Sequence, residues 1–231
     1  MAAVRVRQHV NPLSDKYHTQ VGEIDWAAIF ANPNQPLHID VGCAKGYFVN
    51  QMATLQPDWN FLGLEIRAPL VDYALQQRDR AGFQNLHFLF CNANTSLADL
   101  LQTLPPKTLQ QVSIQFPDPW FKKRHQKRRV VQPALVQALA AHLPSGGRVV
   151  LQSDVEEVAV EMCDRFAENA AFQRTAPDWL AASPFPTQTD REALTLGKGL
   201  PVFRAIFLRQ PAERSPSNDE DSSAGSVCQN P

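Results

Sequence analysis

Two kinds of chemistry meet in the stretch Phe116-Pro117-Asp118-Pro119-Trp120-Phe121-Lys122-Lys123-Arg124-His125-Gln126-Lys127-Arg128-Arg129. The first is a carboxylate held between two prolines. Pro117 has a fixed φ, and Pro119 pushes Asp118 toward extended geometry and away from the helical region. The second is a dense positive charge: six of the eight residues from Lys122 to Arg129 are Lys or Arg, and His125 is a seventh possible cation. The formal net charge of the whole chain is −1, so without those six the remainder stands at −7. A mildly acidic protein that gathers its cations in one place points to a polyanionic partner, nucleic acid first. The blander readings are an import-like basic tag, or a proline turn beside a solvated charged face.

The elements around this stretch must hold Asp118 in place. Gln111-Val112-Ser113-Ile114-Gln115-Phe116 alternates polar and apolar residues and reads as a strand. Asp118 therefore sits where a strand ends and a loop begins, the position at which open α/β sheets bind ligands. Upstream, Leu37-His38-Ile39-Asp40-Val41 reads as a buried strand running into Gly42-Cys43-Ala44-Lys45-Gly46, with a helical pattern over residues 47–55. Strand, glycine loop and helix suit a nucleotide: small residues let the backbone approach, and the helix N-terminus favours a negative group. The loop departs from GxGxxG and fits an acidic-x-G-x-G-x-G pattern with Ala44 in the middle.

A second strand over residues 60–65 ends in Glu65, 25 residues after Asp40. An acid there can accept from both ribose hydroxyls, or serve as a helix-start carboxylate. With the glycine loop upstream, the ribose reading is favoured. Asn92 follows the third strand and suits either the edge of an adenine ring or a helix cap. Residues 148–152 form another strand, which ends at Ser153-Asp154. Residues 176–201, with Pro177, Pro184, Pro186 and Pro201, break the strand-helix rhythm. They read as a long loop, functional or disordered, that carries Thr189-Asp190-Arg191-Glu192. Residues 202–208 read as the final strand.

Composition narrows the class. Hydrophobic content of 44% and charged content of 19% over 231 residues suit one large globular domain. No apolar run nears the roughly 20 residues of a membrane helix, and the first residues lack a signal-peptide core, so a soluble intracellular protein is expected. Cys43, Cys91, Cys163 and Cys228 form no CxxC pair and the histidines no HExxH group, so no metal is assigned. Residues 1–20 read as a mobile arm, 21–210 as the domain, and 211–231 as a disordered acidic Ser/Pro-rich tail.

Taken together, residues 37–208 resemble the bacterial tRNA (guanine-N7-)-methyltransferase family. The most specific match is the stretch from Phe116 to Arg129. The Asp40–Gly46 loop, Gly63-Leu64-Glu65-Ile66-Arg67, Ser153-Asp154 and the Thr189–Glu192 tetrapeptide support it. The resemblance implies a doubly wound, mostly parallel α/β sheet of the S-adenosylmethionine-dependent methyltransferase type, with an antiparallel last strand. It implies S-adenosylmethionine as cofactor, a tRNA partner, methyl transfer to a variable-loop guanine, and a cytoplasmic monomer or homodimer. It makes Asp40, Gly42, Gly46, Glu65, Asn92 and Asp118 cofactor-site residues, with Asp118 also the catalytic carboxylate. Lys122, Asp154, Thr189 and Glu192 fall at substrate positions, and Arg124, Lys127, Arg128 and Arg129 in the RNA-contacting segment. The chain departs from the family pattern at Asn92, where Asp is frequent, at Ala44, and at Asp190-Arg191, where an aromatic before Glu192 is usual. Two rival readings remain, a dinucleotide oxidoreductase and an RNA-binding protein with a vestigial cofactor loop.

Overall fold

The computed structural model describes residues 10–18 and 22–211. Seven strands form one sheet in the order β3-β2-β1-β4-β5-β7-β6. They are β1 (Leu37–Val41), β2 (Asn60–Glu65), β3 (Leu86–Phe90), β4 (Leu109–Gln115), β5 (Arg148–Ser153), β6 (Phe172–Arg174) and β7 (Phe203–Arg209). Strands β1 to β5 pair in parallel, while β7 runs antiparallel to both β5 and β6. The antiparallel last strand is as expected, and it is wedged between β5 and β6. The order reverses between β1 and β4, which makes their C-terminal ends the natural ligand crevice.

Helices α1 (Trp26–Ile29), α4 (Ala93–Gln102), α5 (Pro133–His142) and α6 (Glu156–Ala167) pack with one face of the sheet in the larger apolar cluster. Helices α2 (Tyr47–Leu55) and α3 (Ala68–Ala81) pack on the other, around Phe61, Leu86 and Phe88. Local sequence sets their ends. Gly82 closes α3 in the left-handed conformation at φ 72°, and Pro133 opens α5.

Two departures from the sequence reading concern the second half. Residues 176–201 are not one long loop, because Asp190–Gly197 forms helix α7. Thr189 starts it by accepting the Glu192 amide at 3.0 Å, a side-chain cap placed by the same tetrapeptide. The short strand β6 lies where sequence gave no strand signal. Of the N-terminal arm, residues 10–18 are described and include a short 3-10 turn, Asp15–Tyr17; residues 1–9 and 19–21 lie outside the described residues. So does the acidic tail beyond Pro211.

Candidate active site

A cleft opens at the C-terminal ends of β1 to β4. Gly42, Glu65, Asn92, Gln115, Asp118 and Arg128 are among its lining residues. Its cavity volume is about 140 Å³, and it opens to solvent at its mouth.

The glycine loop forms its floor. Gly42 has φ 84° with nothing within 4 Å of where a Cβ would stand, so the backbone there is bare toward the cleft. Gly46 has φ 75°, and a Cβ would lie 2.4 Å from the Phe88 ring, so it serves packing of α2 and not the cleft. Ala44, at the middle glycine position of the pattern, also has a positive φ of 51°. Its amide donates to Glu65 Oε2 at 3.1 Å, which binds the loop to the end of β2.

Glu65 is 3% exposed. Arg67 grips it with a fork: Nε donates to Oε1 at 2.9 Å and an Nη to Oε2 at 2.8 Å, and the Arg67 amide donates to Oε1 at 2.9 Å. Such paired charge-assisted bonds are among the stronger polar contacts in proteins. The Glu65 carboxylate raises the Arg67 pKa first, and the Asp118 charge adds to it. Arg67 thus stands between the two carboxylates.

Asp118 lies half-buried in the cleft wall. The residues that bracket its proline cage, Phe116 at φ 49° and Trp120 at φ 41°, are both left-handed. Each such non-glycine residue costs on the order of 1–3 kcal/mol and persists only where the surroundings enforce it. Trp120 is half-buried, edge-on to His125 at 5.8 Å and under the Arg128 guanidinium at 4.9 Å. Phe121 is 65% exposed.

The basic run folds as a 3-10 helix, Lys123–Arg128. Lys122, Arg124 and Lys127 are exposed. Arg128 turns toward the cleft, with Nε buried and without a hydrogen-bond partner. Arg129 is placed differently from the rest of the run. It is 4% exposed, donates from Nε to the Pro119 carbonyl at 2.7 Å, and pairs with Glu157 at 2.8 Å and with Glu161. It is an internal anchor for the proline cage. His125 is held below its ordinary pKa, by desolvation first and then by Arg128, Arg124 and Lys122.

A family model described as "Putative methyltransferase" matches residues 34–205. The tRNA (guanine-N(7)-)-methyltransferase of Trichormus variabilis is 59% identical over 207 residues, covering 89% of this chain and 96% of that protein. That of Synechococcus elongatus (strain ATCC 33912 / PCC 7942 / FACHB-805) is 58% identical over 213 residues, covering 92% and 100%. The chain belongs to the tRNA (guanine-N7-)-methyltransferase family. Solved structures bear on the fold: a 16S rRNA (adenine(1408)-N(1))-methyltransferase from Catenulisporales acidiphilia, with cosubstrate SAM, has a TM-score of 0.59 at 16% identity over 86% of this chain and 97% of that one. A SAM-dependent methyltransferase from Aquifex aeolicus has a TM-score of 0.51 at 11% identity over 76% and 84%.

Within this methyltransferase, the positions expected to hold the cofactor divide. Gly42, Glu65, Asn92 and Asp118 line the cleft; Asp40 and Gly46 stand behind its wall. Asp40 is 4% exposed and accepts from Ser113 Oγ at 2.5 Å and Gln115 Nε2 at 3.0 Å. Burial pushes its pKa up to about 6, against the hydrogen bonds from Ser113 and Gln115. Asn92 caps α4 and donates from Nδ2 to the Pro12 carbonyl at 2.8 Å. A carboxylate could not make that bond, which is a physical reason for Asn at this position.

At the positions expected to hold substrate, Asp154 accepts from Arg191 Nε at 2.8 Å and from Thr195 at 3.5 Å. Thr189, Asp154 and Glu192 meet around α7. Glu192 is fully buried, paired with Arg204 at 2.7 Å, and anchors the helix from beneath. Sequence reasoning gave no role to Arg67, Gln115, Gln152 or Arg204. The signal was the polar half of the strand alternation, which is buried here and not solvated. Among the described residues no cluster of His, Cys, Asp and Glu suits a metal ion, and no helix is long and apolar enough to cross a membrane.

Proposed function

We propose that the cleft holds S-adenosylmethionine and that Asp118 faces the guanine whose N7 is methylated, in the variable loop of tRNA in the cytoplasm. The observation that carries this reading is Asp118 fixed in the wall of the cleft between two left-handed residues, with Glu65 and the bare Gly42 backbone in the same cavity. The residues suit the cofactor: Glu65 would accept from the ribose, with Arg67 the group that yields, and the bare backbone at Gly42 admits close approach.

Bound S-adenosylmethionine supplies an electrophilic methyl group on a sulfonium sulfur. Guanine N7 carries an exposed lone pair and is unprotonated at neutral pH, so this chain needs no general base. Its residues act by holding two reactants in line, which can be worth ~7–11 kcal/mol. Asp118 offers a fixed negative charge to a ring that becomes cationic. The base must leave its stack to enter, and the exposed Phe121 ring offers a stacking surface for a base. Lys122, Arg124 and Lys127 meet phosphates.

The test is incubation with labelled S-adenosylmethionine and total tRNA, followed by nucleoside analysis. 7-Methylguanosine is expected from the wild type and a loss of about 100-fold or more in turnover from Asp118→Ala. Asp118→Asn, which keeps hydrogen bonding and removes the charge, separates charge from positioning. Wild-type turnover in Asp118→Asn would sink the charge account. Glu65→Ala should weaken S-adenosylhomocysteine binding at least tenfold with tRNA affinity unchanged.

A further inference from the structure

A continuous polar row crosses the buried face of the sheet behind the cleft. Arg204 Nε donates to Gln152 Oε1 at 2.9 Å, Gln152 Nε2 to Gln115 Oε1 at 2.6 Å, and Gln115 Nε2 to Asp40 Oδ1 at 3.0 Å. At its far end Arg204 holds Glu192 of α7 through Nε at 3.1 Å and an Nη at 2.7 Å. The row follows strand register, since Gln115 pairs with Gln152 and Gln152 with Arg204. All five side chains are at most 9% exposed. The two amides point the same way, from the guanidinium to the Asp40 carboxylate, and neither can turn without losing a donor at one end and an acceptor at the other.

Mutual satisfaction of buried groups would be a sufficient account if the row were closed on itself. It is not. It begins in the cleft, because Gln115 lines the cavity beside Asp118. It ends on a helix that has little else to place it. The buried residues of α7 are Glu192 and Thr195, both polar, whereas its Leu194 and Leu196 are 61% and 40% exposed. Apolar packing does not set the position of α7; the Arg204–Glu192 pair below and the Asp154–Arg191 pair beside it do. Glu192 Oε2 is buried with no hydrogen-bond partner, so the observed seat of α7 leaves one strong acceptor unused.

Resting on the reading of the cleft as the cofactor site and of α7 as part of the tRNA side, we infer that Gln115 and Gln152 are positioning residues that couple the two, so that cofactor and tRNA strengthen each other's binding. Filling the cleft presses on Gln115, the row shifts as a unit, and α7 is set for tRNA. Linkage makes the effect reciprocal: tRNA tightens the cofactor by the same factor.

The experiment is calorimetric binding of S-adenosylhomocysteine to the full chain, alone and with a saturating tRNA transcript. In wild type the affinity should rise roughly 5- to 150-fold with tRNA, the usual span of such coupling. Gln152→Met removes both bonds of the middle link; Arg204→Lys keeps a charge for Glu192 and removes the donor to Gln152. Either should bring the ratio to about 1 while affinity without tRNA stays within about threefold. A ratio of 1 in wild type, or a wild-type ratio in either folded variant, overturns the inference. A second measurement needs no variant: S-adenosylhomocysteine should slow amide exchange across residues 190–197 in wild type, and no change there overturns it equally. Wild type that fails to bind S-adenosylhomocysteine, or binds it without methylating tRNA, would instead overturn the functional reading.

Discussion

The two sides of strand β4 are built from opposite materials. Val112 and Ile114 face the apolar layer of α4, α5 and α6, where Leu100, Leu139 and Phe166 are fully buried. Gln111, Ser113 and Gln115 face the other way, and each finds a side-chain partner. Apolar burial is non-directional and indifferent to small slides. Hydrogen bonds between amides, a guanidinium and carboxylates have direction and length, and fix a position to within tenths of an ångström. One side of the strand supplies stability; the other supplies placement.

The largest test of that contrast is Arg204→Met. It leaves Glu192 as an uncompensated buried charge, and breaking a buried pair this way costs about 3–5 kcal/mol. The double variant Arg204→Met/Glu192→Met removes both charges and should recover most of the loss, because two apolar side chains need no desolvation. Ile114→Ala on the apolar side should cost about 2–5 kcal/mol through its cavity, with no comparable rescue. Urea unfolding measures all three. A double variant as unstable as the single one would show that the polar side carries stability after all.

Next in size is a pH effect at Asp40. Its pKa is raised to about 6 from an ordinary 3.8, with burial the main cause and Glu65 a lesser one. A carboxyl raised in the folded state stabilises most when protonated, so this contribution is present below pH ~4 and lost as pH rises through ~6. His38 runs the other way: burial holds it down to about 3, with Arg148 adding to this, so its contribution is present above ~6.5 and lost toward acid. The two oppose each other in wild type and must be separated by difference. Stability of wild type minus Asp40→Asn should rise by on the order of 2–3 kcal/mol between pH 7 and pH 4. A flat difference would mean that Asp40 is ionised throughout.

How much of this was legible beforehand depends on which rule a residue obeyed. That Gly42, Glu65 and Asp118 would meet at the strand ends was readable, because their spacing from the strands was plain. Helix α7 was missed because its apolar residues Leu194 and Leu196 face outward, so the helical period pointed to no core. Gln115, Gln152 and Arg204 were missed because a polar residue in an alternating strand reads as solvated, and only the sheet order reveals that three neighbours pair. Arg129 and Arg128 are adjacent in a uniform basic run; nothing local says that one turns inward to Glu161 and the other lies on Trp120.

That pair of neighbours sharpens the contrast between stability and placement at a smaller scale. Arg129→Gln should cost about 1–3 kcal/mol, from losing a charge-assisted bond to the Pro119 carbonyl in a buried place. It should leave the salt dependence of tRNA binding unchanged. Arg124→Gln/Lys127→Gln alters exposed cations and should do the reverse: an unchanged melting temperature, with the slope of log K against log salt flattened by about 1–2. If Arg129→Gln flattened the slope instead, the 3-10 segment would have to rearrange on binding RNA.

The smallest expected effect lies at Ala44, where the loop from the polar side of β1 turns into the cleft. Its φ of 51° is a conformation that costs an L-residue roughly 1–2 kcal/mol. Glycine adopts it freely but loses about 0.5–1 kcal/mol more chain entropy on folding. Ala44→Gly should therefore stabilise the fold by up to about 1 kcal/mol, a rise of roughly 2–4 °C in melting temperature. The same residue donates its amide to Glu65 Oε2, and a glycine there holds that amide less rigidly. S-Adenosylhomocysteine affinity should accordingly stay level or fall by up to about threefold while stability rises. Ala44 would then be a position where strain serves placement at a cost in stability. If the variant were both more stable and tighter-binding, the alanine would hold nothing in place, and the loop would belong with the apolar side in serving the fold alone.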